Sequence, residues 1–109
     1  MKIVINECYG GFSIANNQAI FKALNIDNEY ADVSRTDPVL IDLVEREMSM
    51  NPRKTGYPFF GNYNKIVSGL CARLKVVEIP DEATDWKIDE YDGSESLIYV
   101  VDGKIQHIY

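Results

Sequence analysis

Hydrophobic positions along the chain fall into short runs and alternating patterns that predict more strands than helices. Residues 3–5 are a consecutive β-branched run, which is typical of a strand buried on both faces. Further β-branched and aromatic runs follow, most of them in the C-terminal half. The predicted strands cover residues 2–8, 73–79, 86–91, 95–101 and 104–109, with a short one at 30–33.

Two Asp-Gly pairs, at residues 92–93 and 102–103, separate the last three strands. Asp-Gly favours a two-residue type I′ turn, so both pairs predict tight hairpins. In the second hairpin, Val101 then pairs with Lys104. The same register places the single histidine, His107, on an apolar sheet face, where a packed histidine is more common than a catalytic one.

Two helix starts are indicated by capping residues. Ser13 follows a glycine pair and is expected to cap a helix that ends near Leu24. Asp37 is a good N-cap, and Pro38 suits the first helical position. The predicted helices cover residues 14–24 and 38–50, with a short third one at 65–70.

This order of elements predicts a single α+β domain over residues 1–109. We expect a mainly antiparallel sheet with two or three helices packed on one face, and a C-terminal β-meander. In the meander, Trp86 and Ile88 alternate with Lys87 and Asp89, so the two apolar side chains are expected to face the core.

Composition narrows the class of protein. Apolar residues make up 46% and charged residues 26% of the chain, which is typical of a globular protein. No apolar run approaches the ~18 residues of a membrane span, and no signal peptide is evident, so we expect a cytoplasmic protein. Cys8 and Cys71 with a single histidine are too few soft ligands for a zinc site, so we expect two free, mostly buried thiols and no cofactor.

Charge is distributed unevenly within the net charge of −6. Residues 1–45 carry −4, residues 46–75 carry +5, and residues 76–109 carry −7. An acidic total disfavours generic binding along a nucleic-acid backbone, which depends on neutralising phosphates. The central basic segment can still receive a small anion.

Four motifs occur in the same order in a group of small, largely uncharacterised phage and prophage proteins, which this chain resembles over most of its length. They are Cys8-Tyr9-Gly10-Gly11-Phe12, Arg35-Thr36-Asp37-Pro38, Leu-Lys-Val-Val-Glu-Ile-Pro-Asp at 74–81, and Trp-Lys-Ile-Asp-Glu-Tyr-Asp-Gly at 86–93. Relative to that group, Ala15 replaces a serine and residues 53–63 look like an insertion. The resemblance implies a phage or prophage origin, and so a host-cell location, but no particular chemistry.

Candidate chemistry begins with the Gly10-Gly11 turn. Glycines let backbone N–H groups converge, and a helix beginning at Ser13 would add a partial positive charge, so this turn could bind an anion. The alternative is a tight turn that simply requires positive φ. Cys8 could be a nucleophile at the same helix start, although a buried structural cysteine is the more common case.

The second candidate is the loop of residues 53–63. Its cations and aromatic rings suit phosphates and bases, although the two phenylalanines could instead pack onto the core. Its candidate ligand-binding residues are Arg53, Lys54, Tyr57, Phe59, Phe60 and Tyr63, which join Gly10, Gly11 and Ser13.

These features favour a non-enzymatic, phage-borne accessory protein that interferes with the host, with counter-defence as the expected role. Sequestering a small nucleotide-like anion is the leading mechanism. An inhibitor that binds a host defence protein through an acidic or aromatic surface is the alternative, and a small hydrolase using Cys8 is the third. A homo-oligomer remains open.

Overall fold

The protein is described by a computed structural model over residues 1–51 and 64–108. This part of the chain forms two helices and five strands, which confirms the α+β class and the C-terminal meander. In chain order they are β1 (Lys2–Asn6), α1 (Gln18–Leu24), α2 (Pro38–Met50), β2 (Leu74–Glu78), β3 (Asp85–Tyr91), β4 (Ser94–Val101) and β5 (Lys104–Ile108).

The strands form two antiparallel sheets instead of the one expected. β1 pairs with β2, and β3, β4 and β5 form the meander. β1 cannot extend into the meander because its outer edge is already bonded. There the Val4 N–H donates to the carbonyl of Arg35 (2.8 Å), and the Asn6 N–H donates to the carboxylate of Glu95 (2.8 Å).

The β1–β2 sheet is therefore the middle layer, with an apolar core on each face. On one face, Val4 and Leu74 pack with the buried side chains of both helices. On the other face, Ile3, Ile5 and Val77 pack against Leu97 of the meander. This arrangement explains the apolar run at residues 3–5, because adjacent side chains of β1 enter opposite cores.

Both predicted hairpins are confirmed. Asp92 and Asp102 have φ of 53°, and the glycines that follow them have φ of 88° and 73°. Val101 pairs with Lys104, as the Asp-Gly turn requires. The expectation that His107 is packed is wrong, because its face of the meander points away from the β1–β2 sheet and the side chain is exposed.

Trp86 and Ile88 face the core, as predicted. Both are half-buried and pack against the cluster that contains Leu97. Their strand lies at the edge of the meander, which leaves part of each side chain accessible.

The second helix begins as expected, whereas the first begins later than predicted. The Asp37 side chain accepts hydrogen bonds from the N–H groups of Val39 (2.8 Å) and Leu40 (3.1 Å). For α1 the N-cap is Asn17 and not Ser13. An isolated bridge between Ile14 and Ser68 keeps the chain extended after Ser13, so the helix cannot begin there.

Two short predicted elements are absent from the described residues. Residues 30–33 form no strand, because the Asn28 side chain accepts from the Tyr30 N–H (2.9 Å) and holds a turn. Residues 65–70 form no helix, because the N–H groups of residues 66–68 are bonded to a side chain of α2. No helix in residues 1–51 and 64–108 is long and apolar enough to cross a membrane.

Replacing Leu97 with alanine is expected to lower the free energy of unfolding by about 2–5 kcal/mol, because its side chain is fully buried between the sheets. Ile105→Ala is the matched control, since Ile105 is 66% exposed on the opposite face of the meander. This substitution should change the free energy of unfolding by about 0.5 kcal/mol at most. Urea denaturation measures both changes. A larger cost for Ile105→Ala than for Leu97→Ala would mean that the faces of the meander are reversed.

Candidate functional site

The glycine turn of the N-terminal motif is packed tightly against the residues that precede β2. A Cβ on Gly10 would lie 2.1 Å from the carbonyl oxygen of Cys71, so only glycine fits there. Gly11 has φ of 87°, a conformation that favours glycine, although a Cβ there would meet no atom within 4 Å. Both glycines are therefore explained by the structure of the turn: Gly10 by its close approach to Cys71 and Gly11 by its positive φ.

The Asp-Gly turn between β3 and β4 also packs on this motif. A Cβ on Gly93 would lie 2.1 Å from the carbonyl oxygen of Tyr9. The fully buried Asn6 side chain joins these segments by donating to the carbonyls of Cys8 (2.8 Å) and Gly93 (2.9 Å). Its amide oxygen accepts from the Arg73 N–H (2.9 Å). Three segments of the chain thus meet at one end of the molecule.

This packing does not produce the expected anion site at a helix N-terminus. Gly10 and Gly11 are separated from α1 by several residues, and the first-turn N–H groups of α1 are capped by Asn17. Ser13 is buried, and its carbonyl accepts from the N–H of Gly69 (2.9 Å). The helix start expected at Ser13 is therefore wrong, and the ligand-binding role of Gly10, Gly11 and Ser13 stays a prediction without it.

Cys8 lies in a position that suppresses its reactivity. Its side chain is buried, and burial raises the pKa of the thiol above its ordinary value. Glu7 raises the pKa further, while Arg73 and Lys65 act in the opposite direction. Both cysteines are free thiols, but the expectation that they are buried is wrong for Cys71, which is exposed.

Thiol labelling of the native protein with Ellman's reagent is expected to modify Cys71 quickly and Cys8 slowly. The raised pKa of Cys8 keeps its thiol protonated at a pH where an accessible thiol already ionises, so its rate should remain low into alkaline solution. Cys71→Ser isolates the slow thiol, and guanidinium should release it. Rapid labelling of native Cys71→Ser would instead favour a reactive Cys8.

The basic and aromatic candidates of the loop lie outside the described residues. They are Arg53, Lys54, Tyr57, Phe59, Phe60 and Tyr63. The nearest described residues before and after this segment, Asn51 and Asn64, are hydrogen-bonded to each other. Asn51 accepts from the Asn64 N–H (2.8 Å) through its amide oxygen and donates to the Asn64 carbonyl (2.6 Å) through its amide nitrogen. We call this pair the Asn51–Asn64 clamp.

A buried carboxylate holds the chain that follows the clamp. One oxygen of Glu47, which is fully buried on α2, accepts from the N–H groups of Ile66 (2.7 Å), Val67 (2.9 Å) and Ser68 (2.9 Å). Its other oxygen accepts from the Ser68 hydroxyl. Glu47 therefore fixes the point where the chain returns from residues 52–63.

A cluster of charged side chains lies around the start of β2, with Lys75 on the sheet face opposite α2. The Ser68 hydroxyl oxygen accepts from the Leu74 N–H (2.9 Å), and the residues on either side of Leu74 are cationic. Glu7 lies 3.1 Å from Nε of Arg73 and 3.5 Å from Nζ of Lys75, and all three side chains are largely buried. These described contacts join two cations to one carboxylate.

Sequence reasoning missed Glu47 and the clamp. One signal was available for Glu47, because it continues the helical spacing of Leu40 and Val44 on the buried side of α2. A carboxylate on an apolar stripe indicates a buried partner. The clamp has no such signal, since Asn51 resembles an ordinary helix C-cap until the chain folds back.

Within residues 1–51 and 64–108, no group of three or more histidine, cysteine, aspartate or glutamate side chains is placed to hold a metal ion. Comparison with models of protein families, with curated proteins and with solved structures finds no match to this chain.

Glu47→Gln is expected to lower the free energy of unfolding by about 1–3 kcal/mol, because it replaces a charged acceptor and leaves the bonded donors poorly matched. Glu45→Gln is the matched control, since Glu45 is exposed on the same helix and pairs only with Lys2 among the contacts described. Its unfolding midpoint should stay close to that of the unchanged protein. Equal midpoints for all three proteins would show that Glu47 does not hold the loop base.

Proposed function

We propose that this protein is a non-enzymatic binding protein that captures a small nucleotide-like anion with residues 53–63. The observation that carries this proposal is the fixed base of that segment. The Asn51–Asn64 clamp and the buried carboxylate of Glu47 bring the two ends of the segment together. Fixed ends reduce the conformational entropy that a loop loses when it closes on a ligand.

Charge supports an anionic ligand. The segment contains Arg53 and Lys54 and no acidic residue. Residues 46–75, which include the segment, carry +5 in a chain whose net charge is −6.

The aromatic residues of the segment support a ligand that carries a base as well as phosphates. The two cations are followed by four aromatic residues, Tyr57, Phe59, Phe60 and Tyr63. Stacking on an aromatic ring contributes about 1–3 kcal/mol per base and tolerates different bases. A nucleotide satisfies both parts of this composition, whereas inorganic phosphate satisfies only one.

The role we propose is interference with a host, most specifically counter-defence. This part of the proposal depends on the resemblance to small phage and prophage proteins, and it places the protein in the host cytoplasm. Binding without catalysis is supported by the burial of Cys8, which raises the pKa of its thiol.

Thermal shift and calorimetry with a panel of nucleoside phosphates and cyclic nucleotides should identify a ligand that raises Tm. The double variant Arg53→Ala with Lys54→Ala is expected to keep the fold and weaken binding by about tenfold or more. Affinity should fall as salt rises from about 0.05 M to about 0.2 M, because exposed charges are then screened.

The matched control is Lys22→Ala with Lys104→Ala, which removes two exposed cations far from the segment in sequence. Phe59→Ala tests stacking and should weaken nucleotides but not pyrophosphate. If no member of the panel binds, or if both double variants bind equally well, the proposed function is wrong.

A further inference from the structure

The meander contains two Asp-Gly turns with the same backbone conformation and different surroundings. Asp92 and Asp102 both have φ of 53°, and Gly93 and Gly103 both have positive φ. Each pair joins two antiparallel strands through a two-residue turn. Because the two turns are matched in local sequence and geometry, a difference in their chemistry has to come from the rest of the fold.

The first turn is held by the N-terminal motif. A Cβ on Gly93 would lie 2.1 Å from the carbonyl oxygen of Tyr9 and 2.7 Å from the backbone nitrogen of Gly11. The Gly93 carbonyl also accepts a hydrogen bond from the side chain of Asn6 (2.9 Å), which is fully buried. Opening this turn therefore requires that it separate from the glycine turn and lose the bond to Asn6.

The second turn is open to solvent. Asp102 and Gly103 are both exposed, and a Cβ on Gly103 would meet no atom within 4 Å. The turn leads into β5, which is an edge strand with residues 104–107 exposed. A turn with few contacts that joins an edge strand opens locally at a low free energy.

An Asp-Gly pair undergoes a reaction that depends on such opening. The glycine nitrogen attacks Cγ of the aspartate, and the carboxyl hydroxyl leaves as water with the amide proton, which produces a five-membered succinimide. Water then adds to either ring carbonyl. Breaking the bond from nitrogen to Cγ restores aspartate, whereas breaking the bond from nitrogen to the α-carbonyl carbon gives isoaspartate, so no other reagent is consumed. Ring closure requires rotation about the Cα–C bond of the aspartate, which a closed type I′ turn prevents.

We propose that Asp102-Gly103 is a site of spontaneous isoaspartate formation in the folded protein and that the fold protects Asp92-Gly93. This site is independent of anion capture by residues 53–63, because neither turn belongs to that segment. Isoaspartate adds one methylene group to the main chain of the turn, so Val101 and Lys104 lose the register that pairs them. β5 is then expected to separate from β4.

The unchanged protein is incubated for weeks at neutral pH and physiological temperature, both folded and in guanidinium. Cleavage after Tyr99 places the two sites in different peptides, and electron-transfer fragmentation distinguishes isoaspartate from aspartate. In the folded protein, isoaspartate should form at Asp102 about tenfold or more faster than at Asp92, because opening the first turn breaks packing and a hydrogen bond. In guanidinium the two rates should become similar.

Asp102→Glu tests the site by substitution, since a glutamate has to close a six-membered ring, which forms much more slowly. Methylation of the folded, incubated protein by a protein L-isoaspartyl methyltransferase should fall to background in this variant. The matched control, Asp92→Glu, should be methylated as strongly as the unchanged protein. In the isomerised fraction, amide hydrogen exchange of residues 104–108 should be faster than in fresh protein.

Four results would overturn the proposal. They are a folded protein that forms no isoaspartate at Asp102, a folded protein in which Asp92 reacts as fast as Asp102 or faster, undiminished methylation of Asp102→Glu, and an isomerised fraction in which residues 104–108 exchange at their original rate. The first two need no variant, so they stand even where a substitution disturbs the turn.

Discussion

The ion pair between Arg35 and Glu95 closes the outer edge of β1, and the layered fold depends on that closure. The guanidinium group donates to both carboxylate oxygens, at 2.6 and 2.9 Å, in the bidentate geometry that makes such pairs strong. Glu95 also accepts from the Asn6 N–H, and the backbone carbonyl of Arg35 accepts from Val4. Because this edge is occupied, the meander stacks on a face of the β1–β2 sheet and does not extend it. The Arg35 guanidinium also lies 3.7 Å from the ring centre of Phe12, which ties the glycine motif to the same pair.

The opposite edge of the sheet, along β2, is closed by side-chain acceptors and not by an ion pair. The Leu74 N–H donates to the Ser68 hydroxyl oxygen, and the Val76 N–H contacts the sulfur of Met48 at 3.3 Å. Ser68 is in turn held by Glu47. A two-stranded sheet is marginal alone, but here side chains satisfy both edges and apolar layers cover both faces. The same contacts that finish β2 also fix the base of residues 52–63, so the strand and the proposed binding segment share their support.

The cations in the basic middle of the sequence are used in two ways. Arg73 and Lys75 pair with Glu7 around the start of β2, and Lys75 lies on the sheet face opposite the helices. Arg53 and Lys54 belong to the segment that is proposed to bind an anion. The positive charge of the proposed site is therefore supplied by the segment itself.

Local chemistry determined the elements that the sequence predicted correctly. Asp-Gly adopts positive φ at two successive residues almost independently of its surroundings, so Asp102-Gly103 defined the register of the last hairpin. Asp37-Pro38 likewise marked the start of α2 from its own capping bonds. Only the tertiary structure decided how the strands divide into two sheets, since Arg35 and Glu95 are 60 positions apart. It also decided that Ser13 is held in extended chain by residues near Gly69, and that Glu47 is buried to hold a loop base. Propensities act within a few residues, whereas edge closure and burial depend on which distant groups arrive at the same place.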